Sequence, residues 1–182
     1  RRKTAGILVQ EKEMCMKKGE IYEGRVQEVL FPDKAIVVTD EGETAQVKYG
    51  IPGQKLRFRV KKKRKEKIEG ILLEILEKSA DETACLCEWA GKCGGCLYQT
   101  IPYEKQLAIK EAQIKKMLDN GGTDYTFEGI VSSPVVSGYR NKVELTFGDS
   151  YMGGPLALGM HQRGSFYDIA GIETCQIMTH DM

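Results

Sequence analysis

At 182 residues, 41% hydrophobic and 29% charged, the chain has the composition of a soluble globular protein with one large domain or two small ones. A net charge of +1 excludes a uniformly polycationic or polyanionic protein, so charge-driven recognition has to come from local asymmetry. No apolar run approaches the roughly 18 residues that span a bilayer, and "RRKTAGILVQEKE" turns polar after Val9, unlike a signal peptide. The chain reads as cytoplasmic, where clustered cysteines serve as ligands or catalysts rather than disulfides.

Residues 1–16 read as a leader. "GEIYEGRVQEVL" (19–30) is the first element, with Ile21, Val26 and Val29 as apolar points. "FPDK" (31–34) is a turn with Pro32 at its second position. "AIVVTD" (35–40) and "TAQVKY" (44–49) are short strands around the turn "EGE". "KLRFRV" (55–60) alternates, with Leu56, Phe58 and Val60 on one face and Lys55, Arg57 and Arg59 on the other. "IEGILLEIL" (68–76) is a fifth strand. Five short strands with tight turns predict a mainly β first domain over 17–79, a small barrel of the oligonucleotide-binding (OB-like) type.

Residues 80–182 read as a second, small α/β domain. "YEKQLAIKEAQIKKML" (103–118) is its helix, with Tyr103, Leu107, Ile114, Met117 and Leu118 as the apolar stripe. Pro102 suits its first turn, and Gly121-Gly122 stops it. "NKVELTF" (141–147) alternates as a strand, and "LALGM" (156–160) and "FYDIA" flank the hairpin turn "HQRGS".

Between Lys55 and Lys67 stand Lys55, Arg57, Arg59, Lys61, Lys62, Lys63, Arg64, Lys65 and Lys67, opposed only by Glu66. A concentrated positive surface on a small barrel attracts nucleic-acid phosphates, with affinity that falls as salt rises. Aromatic residues are few here, so base stacking has little support.

"CEWAGKCGGC" (87–96) holds Cys87, Cys93 and Cys96, and Gly94-Gly95 lets the backbone turn tightly around a ligand. A closed tetrathiolate site needs a fourth cysteine: Cys175, Cys85 or Cys15. Structural zinc typically uses two C-x2-4-C pairs; one C-x2-C, an x5 gap and a distant cysteine are more like an iron–sulfur site. Cys85 is two residues from Cys87, which makes joint ligation awkward. His161 and His180, the only histidines, read as surface or turn residues.

"KKGEIYEGRVQEV" with "YGIPGQKLRFRVKKKRKEKIEGILLEILEKS" resembles a TRAM domain, an RNA-binding barrel. "CEWAGKCGGCLYQTIPYEKQLAIKEAQIKKML", "YRNKVELTFG" and "LGMHQRGSFYDIAGIETCQIM" resemble, in order, the iron–sulfur region of RNA uracil-5-methyltransferases, above all the 23S ribosomal RNA branch. The resemblance implies that Cys87, Cys93, Cys96 and Cys175 hold a [4Fe–4S] cluster and that Arg140 and Lys142 lie near the RNA; the expected oligomeric state is a monomer. Family members move a methyl group from S-adenosylmethionine to uracil C5 after a cysteine attacks C6, with the base flipped out of folded RNA. The methyltransferase domain that binds S-adenosylmethionine and supplies that cysteine has no counterpart in these residues. The resemblance therefore implies an N-terminal portion that does not methylate RNA by itself.

Overall fold

The computed structural model describes residues 16–64, 67–85, 87–122 and 124–181. The first half forms five strands: β1 (Ile21–Leu30), β2 (Lys34–Val38), β3 (Thr44–Lys48), β4 (Lys55–Arg64) and β5 (Lys67–Glu77). They close in the order β1-β2-β3-β5-β4, the last strand returning to the first. All neighbours are antiparallel except β3 and β5, which pair in parallel over Gln46–Glu69 and Val47–Gly70.

Closure depends on β1 serving two neighbours. Ile21 to Arg25 pair with β4, and Arg25 to Leu30 with β2, with a register shift between Val26 and Glu28. A bulge there bends the strand from one partner to the other. Gly24 sits at this crossing, where a Cβ would fall 2.5 Å from the Val38 carbonyl oxygen.

The alternating residues fill the interior. Val26, Val37, Val47, Leu56, Phe58 and Ile68 are at most 2% exposed. Burying each contributes about 1.5–3 kcal/mol. The predicted core of "KLRFRV" is thus observed, but β4 continues through Lys61–Arg64. These residues have little strand propensity of their own; pairing with β5, down to Arg64 opposite Lys67, holds them extended.

The second half contains α1 (Tyr103–Asn120) and an antiparallel sheet β6-β7-β8. The helix starts after Pro102 and stops at Gly121, whose N–H donates to Leu118 O at 2.9 Å. Its predicted stripe does not face the ring: Ile114, Met117 and Leu118 are 39–50% exposed. The face turned to the ring carries Ala108, Ile109, Ala112 and Gln113, which with Ile101 line a cleft beside Val29 and Ile51. Ala108 and Ala112 stay exposed along that cleft, and buried Gln113 bridges it, donating through Nε2 to Val29 O at 3.1 Å and to the Tyr98 hydroxyl at 3.2 Å.

The strand predicted over 141–147 is shorter. β6 spans Thr146–Asp149, while residues 141–145 have no ladder partner among the described residues, and alternation without a partner makes no strand. β7 (Leu156–His161) matches its prediction, and β8 (Ile169–Gly171) takes only the end of "FYDIA". Phe166 and Tyr167 stay in the connecting loop, 79% and 83% exposed. β7 and β8 approach closely at Gly159, where a Cβ would lie 1.7 Å from Ala170 O. Among the described residues no helix is long and apolar enough to cross a membrane.

Candidate functional site

The cysteine segment folds as a tight turn. Trp89 O accepts the N–H groups of Lys92 at 3.0 Å and Cys93 at 2.9 Å, and Cys87 O accepts that of Ala90 at 3.1 Å. Gly91 takes φ 82°, the left-handed conformation that suits glycine. Cys87 is thereby folded back toward Cys93. The turn docks on the β7–β8 connection: Cys93 pairs with Gln162, and Gly94 N–H donates to His161 O at 3.0 Å. A Cβ on Gly94 would lie 3.1 Å from that same oxygen, so glycine is what admits the contact.

Cys175 arrives from the C-terminal side. Its segment is held by Gly138 N–H on Gln176 O at 2.9 Å and Arg140 N–H on Ile177 O at 2.7 Å. Cys93, Cys96 and Cys175 line one small cavity, walled by Val143, Leu145, Met160, Ile172 and Met178 and reached by Arg140. Val143 and Leu145, predicted as inward strand residues, thus serve the cavity wall.

All five described cysteines are free thiols. Burial pushes the Cys96 thiol above its ordinary value; Cys175, Cys93 and Cys87 add to the rise, and Arg140 opposes it. Burial likewise raises Cys87, against a lowering backbone hydrogen bond from Trp89, with smaller raising effects from Cys85, Cys175 and Cys93. The four predicted ligands therefore lie within electrostatic reach of one another, although Cys87 does not line the cavity. Raised thiols hold their protons at neutral pH, so a metal entering here displaces protons. Cys85 also acts on Cys87, while its own sulfur lies 3.8 Å from Gln99 Oε1. Cys15 lies outside the described residues. Among the described residues no group of three or more His, Cys, Asp and Glu is assembled to hold a metal ion.

Arg163, which gave no signal in the sequence beyond its place in a turn, joins this centre to the ring. Its N–H donates to Lys92 O at 2.6 Å, and its Nη2 donates to Cys96 O. Its guanidinium lies 5.0 Å from the centre of the Tyr49 ring. Its Nε is buried without a hydrogen-bond partner among the described residues. Burial lowers its pKa, while Tyr49, Cys93 and Cys96 act to raise it.

The basic run divides into paired and unpaired cations. Arg57 is held by Glu23 at 2.8 Å and Glu74 at 2.6 Å, and Lys55 Nζ is 3.8 Å from Glu23. Lys67 Nζ is 4.0 Å from Glu69, and Lys63 Nζ donates to Met16 O at 3.1 Å. Arg59, Lys61, Lys62 and Arg64 are exposed and have no carboxylate partner among the described residues. Lys65 lies outside the described residues. Arg140 sits at the cysteine cavity, whereas Lys142 is 81% exposed and paired with Glu144 at 3.1 Å. His161 ends β7 and stacks on Phe166, with ring centres 5.9 Å apart; His180 is on the surface.

No family profile matches the chain. In fold it is similar to Pyrococcus abyssi tRNA (uracil-54, C5)-methyltransferase, solved in complex with S-adenosyl-L-homocysteine. The TM-score is 0.54 at 20% identity, over 88% of this chain and 33% of that one. It is 41% identical over 169 residues to an uncharacterized RNA methyltransferase of Clostridium tetani, and 42% identical over 167 residues to another of Caldanaerobacter subterraneus subsp. tengcongensis. The alignments cover 92% and 91% of this chain but 37% of each relative, so the chain spans little more than a third of their length. By sequence the chain is related to a part of these RNA methyltransferases.

Proposed function

We propose that these residues form the RNA-binding, cluster-bearing N-terminal portion of an S-adenosylmethionine-dependent RNA (uracil-C5)-methyltransferase that acts on 23S ribosomal RNA. The closed ring is then a TRAM domain, and the residues after it are a [4Fe–4S] domain. The meeting of Cys93, Cys96 and Cys175 at one cavity, with Cys87 in the turn that leads to it, supports this reading. Two sequence-distant segments bring soft thiol donors to one apolar cavity, beside a buried Arg163 Nε that lacks an acceptor among the described residues.

The residues fit the group on their chemistry. Four thiolates and no oxygen or nitrogen donor are the set that iron–sulfur clusters take. The cluster, when bound, supplies a cross-link between the segment at 87–96 and the segment at 175. C5 methylation needs no electron transfer, so a structural role has the stronger support. Cys93 and Cys96 anchor one side on β7 through His161 and Gln162, and Cys175 anchors the other beside Arg140. Arg59, Lys61, Lys62 and Arg64 bind phosphates and hold the RNA while a domain beyond these residues binds S-adenosylmethionine and carries out the transfer.

Anaerobic purification of the full-length protein, followed by a visible absorbance spectrum and iron and sulfide assays, tests the assignment. The expected protein is brown, with about four irons and four sulfides per chain. A colourless protein with one equivalent of zinc overturns it.

A further inference from the structure

We propose that Arg163 is a positioning residue for the four-cysteine site, clamping the Cys93–Cys96 turn to the ring and setting a fixed positive charge beside its thiolates. The inference rests on the four-cysteine reading above. Four observations carry it. The side chain donates to Cys96 O while its own backbone N–H donates to Lys92 O, so one residue grips both ends of the Lys92–Cys96 stretch. Its guanidinium is stacked at 5.0 Å on Tyr49, in the β3–β4 connection, which fixes the turn relative to the ring. Tyr49 itself is held at φ 70°, an uncommon conformation for a non-glycine residue, with its N–H on Asp33 O at 3.3 Å. A further donor, Nε, is buried and has no acceptor among the described residues, a costly arrangement for a guanidinium.

Two separable effects follow. The planar fork, bound to Cys96 O and laid on Tyr49, fixes where Cys93 and Cys96 present their sulfurs. The charge favours electron density on the group those sulfurs hold, because a cluster with four thiolates carries net negative charge. Lysine preserves the charge and loses the fork; glutamine loses both. Residues that orient ligands from the second layer typically change metal retention by about 10–100-fold.

The test uses the full-length protein, purified anaerobically as wild type, Arg163→Gln, Arg163→Lys and Tyr49→Leu. Iron release to a chelator is followed by loss of visible absorbance, the reduction potential is measured by titration, and far-UV circular dichroism reports the fold. Arg163→Gln is expected to release iron about 10-fold faster or more than wild type and to titrate at a more negative potential. Arg163→Lys is expected to release iron faster but to keep a potential near wild type. Tyr49→Leu, which alters the ring side only, should also release iron faster, and it carries the test if the Arg163 variants do not fold. A wild-type cluster whose release and potential are unchanged in all folded variants overturns the role of Arg163 alone. A wild-type protein with zinc and no sulfide overturns the cluster reading and this role with it.

Discussion

Replacing Lys61, Lys62 and Arg64 together by glutamine separates unpaired from paired cations in RNA binding. Each phosphate contact to single-stranded RNA contributes about 0.7 to the slope of log affinity against log salt. Losing three contacts should flatten the slope by about 2, so between 50 and 200 mM salt the wild type loses about 20-fold more affinity than the variant. Arg57→Gln should act differently. Glu23 and Glu74 already neutralise Arg57, so its removal releases few counterions, and the slope should change by less than about 0.7. Exposed ion pairs are worth at most about 1 kcal/mol, so neither variant should unfold the ring. The assay is fluorescence anisotropy with a labelled single-stranded RNA across salt concentrations. A triple variant with the wild-type slope would refute the end of β4 as the phosphate surface. Equal flattening by Arg57→Gln would refute the division into paired and unpaired cations.

Five further substitutions probe the packing and the cysteine centre. Cys175→Ala should abolish iron and sulfide binding, whereas Cys85→Ala, whose sulfur faces Gln99, should leave both unchanged; iron assays after anaerobic purification decide. Gln113→Leu strands Val29 O and the Tyr98 hydroxyl beneath α1 and should cost about 1–3 kcal/mol in urea unfolding; an unchanged midpoint would show that α1 does not depend on that contact. Gly159→Ala forces a Cβ into Ala170 O and should cost about 3 kcal/mol or more. Gly171→Ala meets only Ala157 at an ordinary 3.5 Å and should be neutral to stabilising by about 1 kcal/mol; equal thermal midpoints would contradict the β7–β8 packing.

The ring was legible because its strands announce themselves residue by residue. Leu56, Phe58 and Val60 alternate with charges, and the same two-residue period places Ala35 and Val37, then Ala45 and Val47, in one core. Where periodicity has to choose a partner, it fails. Val143 and Leu145 alternate correctly, yet they wall the cysteine cavity instead of joining a ladder. The helix was legible as a helix but not in its orientation, since a buried glutamine makes the contact with the ring while Ile114, Met117 and Leu118 stay exposed. The cysteine spacing pointed to one centre, and tertiary structure brings Cys175 to it across some eighty residues. Arg163 had no such signal. Its role depends on Tyr49, Lys92 and Cys96, three partners scattered along the chain, and no local pattern encodes that meeting.

The strand register also fixes how the two candidate surfaces are disposed. Ile21, at the start of β1, lies opposite Arg59, so β4 and β5 run on past that end of the ring as a two-stranded arm bearing Lys61, Lys62 and Arg64. Val29, Asp33 and Tyr49 belong to the other end, where Leu30 pairs with Lys34 and Lys34 with Lys48. The contacts that attach the second half are made at this end: Gln113 to Val29 O, Lys116 to Glu28 beside it, and Arg163 on Tyr49. Phosphate attraction and cysteine-centre attachment therefore occupy opposite ends of one small ring. Because β1 runs between both ends and contributes Val26 and Val29 to the shared core, loss of the Arg163 clamp should loosen the cysteine turn without altering the arm. Salt-dependent RNA binding by Arg163→Gln should accordingly keep the wild-type slope even where iron retention falls. A parallel loss of both would show that the arm and the cysteine centre are coupled through the ring rather than attached to it separately.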